Sequence, residues 1–225
     1  MNEKLLMTII KYATLNSVNN KKISEETQIP RNTVIRNINN LVEDNLLTIT
    51  HGIVEASFDQ RIQLAIYAIK EGIDIEKVCR ALGWREFEDI VILILEYNGF
   101  KTLKHFRFKS VVRRFEIDIL AYRDSLILSI DCKRWKRSWQ KAATIRVINA
   151  QVERTRALIQ SFSSLKNFFK VTNLINIRFI PLIVTLSETP YKTYEKVPAV
   201  PIFHFQSFLD EMNIHIARLM ILKVS

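Results

Sequence analysis

Glycine, proline and cysteine are all scarce in this chain of 225 residues, which contains 4 glycines, 5 prolines and 2 cysteines. So few glycines and prolines exclude a flexible Gly/Ser linker, and the sequence shows no internal repeat or low-complexity segment. Any domain boundary must therefore be found from changes in pattern. The two cysteines, Cys79 and Cys132, form no CxxC pair. The sequence therefore has neither the spacing of a zinc ribbon nor the cysteine content of a secreted disulfide scaffold.

Long hydrophobic runs are also missing. Apolar stretches such as residues 90–95 and 180–186 are too short to span a bilayer. The first residues, MNEKLL, lack the basic start followed by an apolar block that is typical of a signal peptide. We therefore expect a cytoplasmic protein with no membrane partner.

Positive charge is plentiful and unevenly distributed. The formal net charge is +10, yet residues 1–60 hold 6 Lys and Arg against 7 Asp and Glu, whereas residues 101–146 hold 13 against 4. A local basic excess of this kind indicates a polyanionic partner, with nucleic acid first and an anionic membrane second. The alternative is a solvated basic face without a specific partner.

The first 56 residues have the pattern of three helices and a hairpin. Apolar residues at helical spacing predict helices over 3–15, 24–28 and 31–44, and Pro30 favours entry to the third. Two short alternating runs around His51-Gly52 predict a small hairpin. This order resembles a winged helix-turn-helix domain, which implies that Arg31, Asn32 and Arg36 face the DNA major groove. Because the segment is nearly neutral, dimerisation or orientation of its neighbour is the alternative role.

The remaining residues alternate between helical and strand patterns. Residues 60–82 predict two connecting helices divided near Gly72, and residues 84–97 predict a helix that ends at Asn98-Gly99. Strands are predicted over 101–109, 113–123 and 125–135, followed by a crossover helix over 144–162. Two later strands, RFIPLIVTLS and VPIFHF, and a closing helix, QSFLDEM, complete the pattern.

Charged residues interrupt two of these strands. If the strands pair antiparallel through a turn at Asp124-Ser125, Asp118 and Asp131 lie nearly opposite each other, and Lys133 shares a face with Asp131. Two adjacent carboxylates repel each other unless a cation compensates them, and Mg²⁺ or Mn²⁺ coordinated by hard oxygen ligands is an economical solution. Glu116 is either an accessory ligand or an ion-pair partner of Arg113 or Arg114.

Glu88 on the helix, Asp118 on one strand and Asp131-Cys132-Lys133 on the next resemble the PD-(D/E)XK nuclease superfamily. The surrounding segments, WREFEDIVILILEYNGF and DCKRW, are most similar to its Mrr-like branch and related archaeal nucleases. Ile117 precedes Asp118, where the superfamily name has proline. The resemblance implies a restriction-endonuclease-like αβββαβ core with a central mixed sheet flanked by helices. It also implies metal ligands Glu88, Asp118 and Asp131, and catalytic residues Glu88, Asp118, Asp131, Lys133 and Gln151. Asp89 and Glu86 compete with Glu88 as the acid on the helix, and a solvent-facing side chain is the alternative for Gln151.

Basic residues on both sides of the predicted site are candidates for contacts with the DNA backbone. They are Arg113, Arg114, Arg134, Lys136 and Arg137. The alternative for the segment after Lys133 is an amphipathic turn whose tryptophans cover the core.

Together these patterns predict an α/β protein with a winged helix-turn-helix domain over 1–58, a helical connector over 59–82 and a nuclease domain over 83–225. We expect a homodimeric, metal-dependent DNA endonuclease in repair, recombination or restriction, since cutting two strands usually requires two sites. The alternatives are a DNA-binding regulator or architectural protein with an inert nuclease fold, and a nuclease acting on RNA or on DNA junctions and flaps.

Overall fold

A computed structural model describes residues 1–15, 18–110, 113–134, 140–161 and 177–223. The chain divides into two compact units, Met1–Ile90 and Val91–Ser225. Among the described residues, no helix is both long enough and apolar enough to cross a bilayer.

The first unit contains the predicted helices and hairpin. Helix α1 (Glu3–Leu15) buries Leu5, Leu6, Ile9 and Ile10, which form the apolar stripe seen in the sequence. Helix α3 (Arg31–Glu43) follows Pro30 and buries its apolar side, and strands β2 (Thr48–Thr50) and β3 (Ile53–Glu55) form the predicted hairpin.

Helix α2 (Asn20–Thr27) begins four residues earlier than the predicted start at residue 24. The Asn19 side chain accepts a hydrogen bond from the Lys22 backbone N–H at 2.9 Å, which caps a helix start among the polar residues between the first two predicted helices. A short strand, β1 (Val18–Asn19), was also missed, and it pairs antiparallel with β3.

Three further helices follow. Helix α4 (Phe58–Lys70) starts with a capping box formed by Ser57 and Gln60, and helix α5 (Ile75–Ala81) starts at the Asp74 cap. Both pack against α1, so the two predicted connecting helices lie within the first unit. Helix α6 (Trp84–Tyr97) contains the last residues of the first unit and the first residues of the second.

The described part of the second unit is built on a seven-stranded mixed sheet. Its strands are β4 (Lys101–Lys109), β5 (Arg114–Arg123), β6 (Leu126–Lys133), β7 (Arg178–Thr185), β8 (Thr193–Tyr194), β9 (Val197–Pro201) and β10 (Leu222–Lys223). The order is β4-β5-β6-β7-β9-β8, with β10 also paired to β7. The first three strands are antiparallel neighbours, whereas β6–β7 and β7–β9 are parallel.

Helix α7 (Lys141–Gln160) lies between β6 and β7 in the chain, as a connection between parallel strands requires. It contacts β5, β6 and β7. Its Ala157 and Leu158 pack in a cluster with Leu120, Ile127 and Phe179, and this packing fixes the helix against the sheet. The described elements therefore follow the predicted αβββαβ order, with a central mixed sheet flanked by helices.

The prediction that VPIFHF is a strand is wrong. Strand β9 ends at Pro201, and helix α8 (Ile202–His215) begins at the next residue. Proline suits this boundary because its fixed φ favours the start of a helix and it has no N–H to leave unpaired. The buried side chains Ile202, Phe205, Leu209 and Met212 recur at helical spacing, a signal that the short run of six residues concealed. A short 3₁₀ turn, Ile216–Arg218, follows α8.

Truncation of Ile130 tests the packing of the central strands. Ile130 is fully buried on β6 between β5 and β7. We expect Ile130→Ala to lower the free energy of unfolding by about 2–5 kcal/mol, because it removes buried methyl groups and leaves a cavity. The matched change Ile214→Ala, at a side chain that is 78% exposed on α8, should change it by no more than about 0.5 kcal/mol. Urea denaturation measures both; equal losses would contradict this packing.

Candidate active site

The candidate active site lies where β5 and β6 stop pairing. Regular pairs run from Arg123–Leu126 to Ile119–Ile130, which confirms the register predicted from the turn at Asp124-Ser125. The next residues along the two strands are Asp118 and Asp131. At this point Asp118 Oδ2 accepts a hydrogen bond from the Cys132 backbone N–H at 2.8 Å. Asp118 is therefore fixed to the strand that carries Asp131.

Asp131 is a buried charge with two cationic partners. Its side chain is only 2% exposed, Lys133 Nζ lies 2.7 Å from Oδ2 and Arg154 Nη1 lies 2.6 Å from Oδ1. Burial of an uncompensated carboxylate is strongly unfavourable, and the two contacts offset that penalty. In the structure, Lys133 and Arg154 compensate the Asp131 charge, and the divalent ion expected between the two acids stays a prediction.

Gln151 supports this arrangement from α7. It is fully buried, and its Nε2 donates to the Ser129 backbone carbonyl at 2.7 Å and to Ser129 Oγ at 3.0 Å. Its Oε1 accepts from Arg154 Nη1 at 2.8 Å. Gln151 therefore reaches Asp131 through Arg154, and in this structure it is a positioning residue.

Arg154 was missed in the sequence. It lies three residues after Gln151, so both side chains are on one face of α7. The three-residue spacing from Gln151 was the signal for Arg154 in the sequence. When one helix residue faces the sheet, the residue three positions later faces the same strands. The crowd of other basic residues in the chain concealed it.

An irregularity in β4 lies opposite Asp118. The β4–β5 register pairs Lys104 with Ile119 and Phe106 with Ile117, and the regular pairing is interrupted between these two pairs, at His105 and Asp118. His105 has φ = 52°, the left-handed region that residues other than glycine rarely adopt. Strained backbone of this kind concentrates at functional sites, which agrees with the placement of the site here.

Glu116 is engaged beside this irregularity. Arg107 Nε donates to Glu116 Oε2 at 2.8 Å, and His105 Nδ1 lies 3.2 Å from Oε1. The hydrogen bond from Arg107 lowers the pKa of Glu116 below its ordinary value, against the opposing effect of burial. Its observed partners are thus a strand arginine and a histidine, and neither Arg113 nor Arg114, which were expected, is among them.

Glu88 belongs to the first unit. It is fully buried on α6, and Trp84 Nε1 donates to its Oε1. Its neighbour Glu86, a competing candidate acid, forms an ion pair with Arg61 at 2.9 Å. The metal and catalytic roles expected of Glu88 stay predictions.

The two aspartates fit a magnesium-type ion. Among the residues the structure describes, no group of three or more His, Cys, Asp or Glu side chains could hold a metal ion. Mg²⁺ does not require such a group, since it usually keeps several waters and binds through one or two carboxylates together with substrate phosphate. Asp118 and Asp131 supply two hard oxygen ligands from adjacent strands.

The candidate nucleic-acid contacts differ in their surroundings. Arg31, Asn32 and Arg36 are exposed on α3, and Arg114 is exposed at the start of β5. Arg113 donates to Glu153 at 2.7 Å and lies over the Phe115 ring, while Arg134 is partly buried. The remaining candidates, Lys136 and Arg137, lie outside the described residues.

Comparison with solved structures finds two crystal structures. One is a protein of unknown function, AF1548, with 20% identity and a TM-score of 0.31 over 45% of this chain and 48% of that chain. The other is protein VC1899 from Vibrio cholerae, with 12% identity and a TM-score of 0.40 over 95% of this chain and 51% of that chain. The chain thus spans about half the length of either structure.

Sequence comparison places a known domain across the site. An uncharacterized protein of Archaeoglobus fulgidus is 29% identical over 136 residues, which are 60% of this chain and 96% of that protein. Residues 79–170 match the model of the family Mrr_cat, described as restriction endonuclease. This span contains Glu88, Asp118, Asp131, Lys133 and Gln151. Residues 79–170 therefore carry a restriction endonuclease-like catalytic domain of the PD-(D/E)XK type.

Proposed function

We propose that the protein is a divalent-metal-dependent DNA endonuclease that hydrolyses phosphodiester bonds. The observation that carries the proposal is the juxtaposition of Asp118, Asp131 and Lys133 where β5 and β6 separate, within a restriction endonuclease-like domain. The basic excess around these strands supports a polyanionic substrate. A cytoplasmic location is part of the same proposal.

Asp118 and Asp131 would hold Mg²⁺ or Mn²⁺. Such an ion, when bound, neutralises charge on the phosphate and activates a water for attack. Lys133 supplies a positive charge next to Asp131, and 21% of its side chain is exposed, so it can reach the charge that develops on phosphate oxygens. The Cys132 N–H keeps Asp118 in place throughout.

The N-terminal elements support a role in DNA binding. We propose that α1, α2 and α3 with the β2–β3 hairpin form a winged helix-turn-helix domain and that α3 enters the major groove. Its Arg31, Asn32 and Arg36 are exposed, and among the described residues neither arginine has an ion-pair partner. Both guanidinium groups are therefore available to phosphates or base edges. We also propose a homodimer, because two strands require two cuts.

One observation favours a second candidate function, a DNA-binding protein with an inert nuclease fold. Both carboxylate oxygens of Asp131 already contact protein cations, which compete with a metal ion. A regulator or architectural protein of this kind would bind DNA and leave it uncut.

Substitution of Asp131 separates these two functions. We expect the wild type to nick or linearise plasmid DNA with Mg²⁺, and Asp131→Asn to reduce the rate by about 100- to 1,000-fold or more, the loss that follows removal of one preorganised electrostatic group. DNA affinity, measured by fluorescence anisotropy without metal, should be unchanged or higher, because the substitution removes a negative charge from the site.

Asp210→Asn is the matched control, since Asp210 is an exposed residue of α8 that contacts Gln206. It should cleave at the wild-type rate. Cleavage by Asp131→Asn at the control rate would contradict the assignment, and intact plasmid with the wild type would favour the inert candidate.

Substitution of the α3 arginines tests the role of the first unit. We expect Arg31→Gln and Arg36→Gln each to weaken DNA binding and to reduce the slope of log affinity against log salt by about 1, as loss of a phosphate contact does. Lys70→Gln removes the same charge from α4, where the side chain is exposed, and should leave the slope unchanged. Titrations at several salt concentrations measure this; identical slopes for all variants would exclude α3 from the contact.

A further inference from the structure

One guanidinium nitrogen of Arg154 connects Asp131 on β6 with Gln151 on α7. Its Nη1 donates to Asp131 Oδ1 at 2.6 Å and to Gln151 Oε1 at 2.8 Å, which uses both hydrogens of that nitrogen. Gln151 is in turn fixed to Ser129 of β6 by two hydrogen bonds. Arg154 is thus held over Asp131 by α7 and, through Gln151, by the same strand that carries Asp131.

The other two guanidinium nitrogens of Arg154, Nε and Nη2, have surroundings that differ from those of Nη1. Within the part of the chain that the structure describes, no acceptor contacts Arg154 Nε or Nη2, and 26% of the side chain is exposed. A guanidinium with spare N–H groups beside a nuclease site is well suited to a phosphate, which it can bind through two parallel hydrogen bonds.

The contact with Asp131 also opposes metal binding. A divalent ion at Asp131 needs a carboxylate oxygen, but Oδ1 is held by Arg154 and Oδ2 lies against Lys133. A guanidinium in that position both occupies the oxygen and repels the incoming cation. Metal affinity at Asp131 should therefore rise when Arg154 moves away, because the competing hydrogen bond and the charge repulsion are both removed.

We propose that Arg154 is an exchangeable counterion for Asp131. Without DNA it holds the carboxylate and keeps metal affinity low; when a backbone phosphate enters, the guanidinium transfers to the phosphate and releases Asp131 to the metal. Metal binding and DNA binding are then positively coupled, and each strengthens the other by the same factor. This inference rests on the proposed function, since it concerns the regulation of the same site.

Substitution of Arg154 tests the exchange without relying on cleavage. Mn²⁺ affinity is measured by electron paramagnetic resonance on the DNA-free full-length protein. We expect Arg154→Gln to bind Mn²⁺ about tenfold more tightly than the wild type, within the range usual for coupled sites. Arg154→Met keeps the apolar stem and should behave alike if Arg154→Gln folds poorly.

Arg156→Gln is the matched control. It removes the same charge from the same helix. Arg156 is exposed two residues after Arg154 and lines a cavity of about 440 Å³ together with Phe115 and Glu153. Its Mn²⁺ affinity should stay close to that of the wild type.

The coupling is read from DNA affinity with and without Ca²⁺, a hard ion that takes similar oxygen ligands. A denaturing gel checks that the short duplex stays intact. Ca²⁺ should strengthen DNA binding by the wild type by about 5- to 150-fold. The enhancement should be smaller for Arg154→Gln, because no counterion remains to be exchanged.

The outcomes distinguish the exchange from the proposed function. If wild type and Arg154→Gln bind Mn²⁺ equally well and Asp131→Asn loses binding, the metal site stands and the exchange is overturned. Equal gains for Arg154→Gln and Arg156→Gln would also overturn it, because the effect would then be one of net charge. If no variant binds Mn²⁺, both the exchange and the metal-dependent function are overturned.

Discussion

The carboxylate of Asp131 is the constraint on which the second unit depends. It is buried on a central strand, and an unpaired charge there would be severely destabilising, so cationic side chains must reach it. Lys133 comes from the same strand and Arg154 from α7. Gln151 connects α7 to Ser129. The charge therefore ties helix to sheet at the point where β5 leaves β6, and packing holds the remaining length of α7.

The buried charge of Asp131 also determines how the site can bind a metal ion. A carboxylate balanced by side-chain cations can accept a metal ion when those side chains bind another anion, and phosphate is a good ligand for both lysine and arginine. Asp118 is prepared differently, because its oxygen accepts a backbone N–H that does not need to move. Asp118 is thus held by a backbone hydrogen bond, whereas Asp131 is held by two cationic side chains. This difference agrees with the proposed exchange, in which Asp131 is released when Arg154 binds a phosphate.

Much of this arrangement could be predicted from the sequence, because it follows from two periodicities and a turn. Alternation along β5 and β6, with the turn at Asp124-Ser125, was enough to place Asp118 and Asp131 in register. Local capping was harder to see: Asn19 starts α2 within a polar stretch, and Pro201 divides an apolar run into strand and helix. The role of Arg154 was not predicted because its partner, Asp131, is distant in sequence. One basic residue among 33 also does not by itself indicate a functional role. Periodicity therefore predicts elements, while long-range ion pairs emerge only from the packed fold.

Crystallography can show whether Asp118 and Asp131 together bind a metal ion. Crystals of the protein grown with a short DNA duplex and Mn²⁺ would give an anomalous difference map in which the ion is identified by its own scattering. We expect one peak coordinated by carboxylate oxygens of both Asp118 and Asp131, with the Arg154 guanidinium on a phosphate. Bound DNA with no peak at the two aspartates, and with Asp131 still held by Lys133 and Arg154, would exclude both the metal site and the exchange.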